Sequence, residues 1–237
     1  YDIVFGDGSS DVCSSDLYRS AKPYSIERFD LVEQTNFSYP QPWFIKGRGF
    51  LFLHTLYIDG RNLYFSTSPD GYAWSEAAPL AAIDEGHYQV SWREGNKVGT
   101  AFNYHPSSTA GGNGDDPENP GVDPAASGTN NRTNLYYIET GDFGATWTTA
   151  AGEVVDIPVT SSRNPALVHD YRSEGLLVYV KDIAFDRNGR PVILFLTSKG
   201  SESGPRNDPR TWNTAHWNGT SWDISPVTTS DNNYDVG

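Results

Sequence analysis

Proton transfer needs groups that titrate within reach of neutral pH, and anion recognition needs fixed cations. The chain places both kinds at the ends of strand-like runs. His87 opens one such run, and Tyr104-His105 closes the next. If the two runs pair antiparallel, residues 87 and 105 meet in space. Arg132 precedes the run after that, and Tyr57 and Arg61 hold the equivalent positions one round earlier. His169, Asp170, Tyr171 and Arg172 lead into a third round, and Lys199, Arg206 and Arg210 sit in its second loop. Of the 5 His, only His216 lies away from these ends, although His54 falls mid-strand in Phe50–Thr55 and reads as packing. The pair His87/His105, with Tyr104 alongside, is the leading candidate for catalysis or ligand binding.

The elements that must position these residues repeat. Thr140-Gly141-Asp142-Phe143-Gly144-Ala145-Thr146-Trp147 follows the run Asn134-Leu135-Tyr136-Tyr137-Ile138. A variant, Thr67-Ser68-Pro69-Asp70-Gly71-Tyr72-Ala73-Trp74, follows Asn62-Leu63-Tyr64-Phe65-Ser66. In each, the aspartate can accept main-chain N–H groups of its own turn, glycine supplies positive φ, and tryptophan wedges below. Asp70 and Asp142 are therefore turn-formers, and Trp74 and Trp147 core residues. Around them the chain reads as successive four-strand rounds. The first is Trp43–Lys46, Phe50–Thr55, Asn62–Ser66 and a strand after Trp74. The second is Tyr88–Trp92, Lys97–Asn103, Asn134–Ile138 and a strand from Thr148 to about Pro158. The third is Leu176–Phe185, Pro191–Thr197, Thr211–Trp217 and Ser221–Ile224, and Asn232-Asn233-Tyr234 begins a fourth. Repeated meanders predict an all-β fold, a β-propeller of about three to four blades, with a sandwich of short strands as the alternative. In a propeller the Asp/Gly turns mark one face. The opposite face gathers the starts of first strands and the ends of second strands, and there the candidates converge.

Composition agrees with a turn-rich β protein: aromatic residues make up 14% of 237, with 23 Gly and 15 Pro. A net charge of −13 argues against general binding to nucleic acid or anionic membranes, and no apolar run is long enough to cross a membrane as a helix. Residues 7–17 resemble a translated sequencing-library adapter, so residues 1–17 are expected to be non-native and 18–237 a partial propeller domain. The sole cysteine, Cys13, falls in the first of these. With no Met and a last strand cut short, the chain is expected to be a fragment. Ser107–Asn131 reads as a surface insertion, and its carboxylates Asp115, Asp116, Glu118 and Asp123 match no calcium-loop spacing. No cofactor or metal is expected.

The Thr140–Trp147 octet resembles the Asp-box of BNR-repeat, sialidase-like propellers. Beyond the boxes, Gly86-His87-Tyr88-Gln89-Val90, Phe102-Asn103-Tyr104-His105-Pro106, Arg132-Thr133-Asn134-Leu135, Asn207-Asp208-Pro209-Arg210 and Ser230-Asp231-Asn232-Asn233-Tyr234-Asp235 resemble runs of the same BNR-repeat family. The resemblance covers roughly residues 36–237 and implies about half of a seven-bladed propeller, related to polysaccharide lyases that act on ulvan-like uronate polymers. It implies His87, His105 and Tyr171 as catalytic residues, with Lys181 or Arg132 as the basic group. Tyr104, Arg132, Arg61 and Arg210 are candidates for substrate binding. Asn232 stands where the family motif carries histidine, and the loop after His105-Pro106 is lengthened.

The implied chemistry is β-elimination. A cation neutralises the uronate carboxylate, a His or Tyr removes the C5 proton, and a neighbour protonates the leaving oxygen. The expected partner is an anionic polysaccharide, and the expected setting secreted or periplasmic, as a monomer when full length. A non-catalytic glycan-binding or scaffold propeller is the alternative from another class. An exo-sialidase is a further one, although the arginine-bearing entry motif of sialidases is not found.

Overall fold

The computed structural model describes residues 3–7, 15–58, 60–106, 131–201 and 205–232, with side chains from residue 16 onward. Cys13, most of the 107–131 insertion with its four carboxylates, and Tyr234 lie outside the described residues. The chain builds four antiparallel sheets in sequence order. The first comprises β1 (Ile3–Asp7), β2 (Ser15–Ser20) and β3 (Phe29–Thr35). Blade one is β4 (Ser38–Ile45), β5 (Gly49–Tyr57), β6 (Arg61–Ser68) and β7 (Ala78–Ala81). Blade two is β8 (Gln89–Glu94), β9 (Lys97–Tyr104), β10 (Thr133–Thr140) and β11 (Leu167–His169). Blade three is β12 (Leu177–Phe185), β13 (Pro191–Ser198), β14 (Arg210–Trp217) and β15 (Trp222–Ser230). The first strands adjoin one another, β8 touching both β4 and β12, as blades do around a shared axis.

Strand periodicity decides which interface each side chain fills. Leu51 and Leu53 of β5 face blade two and join Phe102, Tyr104, Tyr136 and Ile138, whereas Phe52 and Leu56 face the first sheet and join Leu17 and Phe37. In blade two, Leu135 and Tyr137 of β10 turn the other way and pack with Val178, Ile193 and Phe195 of blade three. Both faces of the inner strands are covered, so β5 reads Gly-Phe-Leu-Phe-Leu-His-Thr-Leu-Tyr without a polar alternation. Each such leucine or phenylalanine contributes about 1.5–3 kcal/mol by leaving water.

The two Asp/Gly turns close as their residues predict. Asp142 accepts from Thr146 N (2.9 Å), Thr146 Oγ1 (2.6 Å) and Thr140 Oγ1 (2.9 Å), and Trp147 is driven under the hairpin against Phe65. Asp70 accepts from Tyr72 N and Ala73 N at 2.8 and 3.0 Å. One expected strand is corrected. The outer strand of blade two is Leu167–His169, not Thr148 to Pro158. After the turn Thr148 pairs with Glu139 and Val154 only as isolated bridges. The chain then crosses to blade one, where Val159 N donates to Leu80 O (3.0 Å) and Ala82 N to Val159 O (2.8 Å). Those residues serve the seam between blades instead of a sheet edge.

Candidate active site

The connection from blade one to blade two is threaded between two strand ends. Arg61 N donates to Glu85 O (3.0 Å), His87 N to Arg61 O (2.8 Å), His105 N to Gly86 O (2.8 Å), and Glu85 N to His105 O (3.1 Å). Gly86 sits at φ 124°, and a Cβ there would lie 2.3 Å from Arg61 O, so only glycine fits. This main-chain lacing fixes Arg61 at the start of β6, His87 and Tyr88 before β8, and His105 after β9. Two non-glycine residues on the same face, Tyr39 (φ 51°) and Asp84 (φ 48°), hold the sparsely populated left-handed conformation.

His87 is fully buried and both its ring nitrogens are occupied. Nε2 lies 2.9 Å from Ile83 N and must accept its proton, so Nδ1 carries the hydrogen and donates to Asn103 O at 2.8 Å. Burial lowers its pKa to about 4. The ring is a clamp between two main-chain segments. Asn103 extends the clamp: its Oδ1 accepts from Tyr88 N (3.2 Å) and its Nδ2 donates to Val178 O in blade three (2.9 Å).

Tyr88, held in this way, is the hub of the face. The Arg132 guanidinium lies 3.7 Å and that of Arg61 4.6 Å from its ring centre, with the rings of Tyr39 at 4.9 Å and His105 at 5.2 Å. Arg132 also reaches over Tyr179 of blade three at 5.2 Å. His105 is 4% exposed. Its ring bonds the main chain of Asn131, while Nε2 is buried and has no hydrogen-bond partner among the described residues. Burial first, then the charges of Arg132 and Arg61, lower its pKa to about 3. His105 is therefore a neutral imidazole with an unpaired lone pair on a buried nitrogen, near two cations and beside a phenol. Burial, and then a hydrogen bond with Tyr88, raises the Tyr39 phenol well above its usual range.

The structure thus gathers His87, His105, Arg61 and Arg132 around Tyr88. Tyr104 lies behind them in the blade one–two core, with its hydroxyl accepting from Arg172 Nη1 at 2.7 Å. Three other candidates sit elsewhere. Tyr171 packs in the blade two–three core against His169 and Phe195. Lys181 lies along β12 with Nζ 5.7 Å from the Trp212 ring. Arg210 is 1% exposed at the start of β14, paired to Asp208 at 2.7 Å. Sequence reading placed Tyr88 inside a strand and so passed over it. The signal was its place directly after His87, one residue before the ladder begins.

Meanders that meet at their first strands, with an aromatic and cationic cluster where those strands begin, define a β-propeller with a candidate ligand site on its axial face. The chain belongs to the BNR repeat-containing family, whose profile matches residues 15–230. Comparison with curated proteins gives no match. Among solved structures it is similar to an ulvan lyase of polysaccharide lyase family PL25, determined bound to -[GlcA(1-4)Rha3S]- (TM-score 0.69, 15% identity). It is also similar to the polysaccharide lyase Uly1 (TM-score 0.57, 11% identity). A third is a protein of unknown function from Dyadobacter fermentans (TM-score 0.51, 15% identity), matching 82% of this chain and 56% of that one. The two lyases match 89% of this chain, which spans 48% and 47% of their respective lengths. At these identities the likeness establishes the fold.

Proposed function

We propose that the Tyr88 cluster is the active site of a polysaccharide lyase that cleaves a uronic acid polymer by β-elimination. The observation that carries this reading is the unpaired Nε2 of a neutral His105 near Arg61 and Arg132, a buried atom that substrate must uncover as it binds. The two guanidiniums receive the uronate carboxylate and stabilise the negative charge that grows on it as the C5 proton leaves. His105 Nε2 takes that proton, the C4–O bond breaks as the C4–C5 double bond forms, and the Tyr88 hydroxyl protonates the departing oxygen. The proton on His105 then returns to the Tyr88 phenolate through solvent. Burial is the larger cause of the depressed His105, and carboxylate binding offsets the two charges that add to it, so the imidazole gains basicity when substrate is present. The likeness to lyases, one of them determined with a glucuronate-containing ligand, supports the substrate class. A polymeric substrate of this kind would place the protein outside the cytoplasm, secreted or periplasmic.

A second reading, a glycan-binding propeller without turnover, draws on the engagement of both His87 nitrogens, which leaves one imidazole for chemistry. The test is absorbance of the unsaturated product from a panel of uronate polysaccharides. Turnover should vanish in His105→Ala and fall at least a hundredfold in Tyr88→Phe. Turnover that survives His105→Ala refutes the mechanism. Glycan binding with no unsaturated product from any polymer selects the binding propeller.

A further inference from the structure

We infer that a pocket on the seam between the first sheet and blade one binds the primary ammonium group of a small aliphatic amine. The inference stands apart from the lyase reading, because the pocket shares no residue with the Tyr88 cluster. It encloses about 100 Å³. β3 contributes Glu33, the β3–β4 connection Phe37, and β5 Phe52 and His54. The chain leaving the first Asp/Gly turn adds Trp74 and Glu76.

Strand alternation brings these groups together. Phe52 and His54 stand two apart on β5 and so share a face. Phe52 packs against Phe37 (ring centres 5.3 Å apart) and Trp74 (5.5 Å), which closes the first sheet onto blade one. His54 is carried into this aromatic seam, 3% exposed, with its ring centre 4.5 Å from that of Phe52 and 6.0 Å from that of Phe37. Its Nδ1 lies 3.3 Å from Phe52 O, a carbonyl that can only accept, so Nδ1 carries the hydrogen. Nε2 is then a lone pair with no hydrogen-bond partner among the described residues, on the ring edge left to the cavity. Burial lowers the ring's pKa to about 4, so it is neutral and accepting at pH 7. Glu33 and Glu76 are exposed, and neither carboxylate is paired among the described residues. No lysine or arginine is among the lining residues. An imidazole lone pair, aromatic rings and unpaired carboxylates all attract a positively charged N–H group. A quaternary ammonium has no hydrogen to give Nε2, and both glutamates repel an anion. On the scale that lets about 150 Å³ enclose benzene, the pocket holds about four non-hydrogen atoms. That admits an ammonium and a short run of methylenes, but not a sugar ring.

The test is ligand-observed NMR titration with n-propylammonium, tetramethylammonium and 1-propanol at pH 7.5. The parent is compared with Glu33→Gln, Glu76→Gln, their double variant, Glu153→Gln and His54→Leu. The parent should bind n-propylammonium at least about tenfold more tightly than tetramethylammonium, and 1-propanol not measurably. Glu33→Gln and Glu76→Gln should each weaken n-propylammonium about threefold, and together about tenfold. Glu153→Gln removes an exposed carboxylate outside the pocket and should leave affinity unchanged, which separates the site from the general pull of a chain of net charge −13. His54→Leu should erase the preference for n-propylammonium over tetramethylammonium. Putrescine and Nα-acetyl-lysine amide, compared in the same way, tell whether the ammonium comes from a free diamine or from a lysine side chain. Three results overturn the inference: no saturable binding of n-propylammonium, equal binding of the two cations by the parent, or a loss in Glu153→Gln as large as in the pocket variants. If His54→Leu does not fold, the ligand comparison and the three surface carboxylates decide.

Discussion

Acidification from pH 7 to pH 4.5 should cost this fold several kcal/mol, and His87 is the residue on which to measure it. The folded ring has a pKa of about 4, while in the unfolded chain it titrates near 6.5. Above pH 6.5 both states are neutral and stability is flat. Below it the unfolded chain takes up a proton that the folded ring refuses, so stability falls at up to roughly 1.4 kcal/mol per pH unit until the folded ring itself titrates. Between pH 7 and 4.5 that amounts to about 2 kcal/mol from His87 alone. His54, with a pKa lowered to about 4 by burial, and His105 add losses of the same sign over the same window. Asp70, Asp142 and Asp186 are held below the usual carboxylate range by their turns, so their losses begin only at lower pH. Urea unfolding followed by tryptophan fluorescence at pH 7.5, 6.0, 5.0 and 4.5 would resolve the slope. His87→Gln should lose about 1–3 kcal/mol at neutral pH, because Ile83 N or Asn103 O is left unpaired. Its pH slope should be shallower, so that the gap to the parent narrows on acidification. A parent stability that is flat from pH 7 to 4.5, or a variant with the parent's slope, would refute the argument.

Gly86→Ala should destabilise by more than about 1 kcal/mol, since it adds strain at positive φ to a collision with the Arg61 carbonyl, and glycan affinity should fall with it. Asn103→Ala should cost about 1–3 kcal/mol of stability and lower kcat more than KM, as Tyr88 loses its main-chain anchor. Asn103→Asp, which can still accept from Tyr88 N but cannot donate to Val178 O, should recover part of kcat. Trp147→Ala should cost about 3–5 kcal/mol in denaturant midpoints without changing the pH dependence of activity.

Much of the architecture was legible because propeller strands announce themselves locally. Gly95-Asn96 and Asn188-Gly189 mark hairpins, and the paired Asp/Gly turns mark third strands, so most strand bounds fell within a few residues. Long-range pairing was not legible. Nothing in the sequence near Val159 says that it bonds the edge of blade one, so the strand expected from Thr148 was misplaced. The site shows the same division. The axial face and the convergence of Arg61, His105 and Arg132 followed from strand order. The difference between His87 and His105 did not, because it depends on which ring has both nitrogens occupied by distant main chain. Tyr171 looked like a phenol on a loop, but tertiary packing puts it in the core.

The lacing of residues 83–87 between Arg61 and His105 makes the seam, not any single blade, the unit that carries the site. Each blade can keep its own ladder while neighbours part by an ångström or two, and such a parting would leave circular dichroism nearly unchanged. It would still separate Arg61 from Arg132 and uncover His105. On the proposed reading, function should therefore fade on heating before strand content does, and glycan binding would report how firmly adjacent blades are docked.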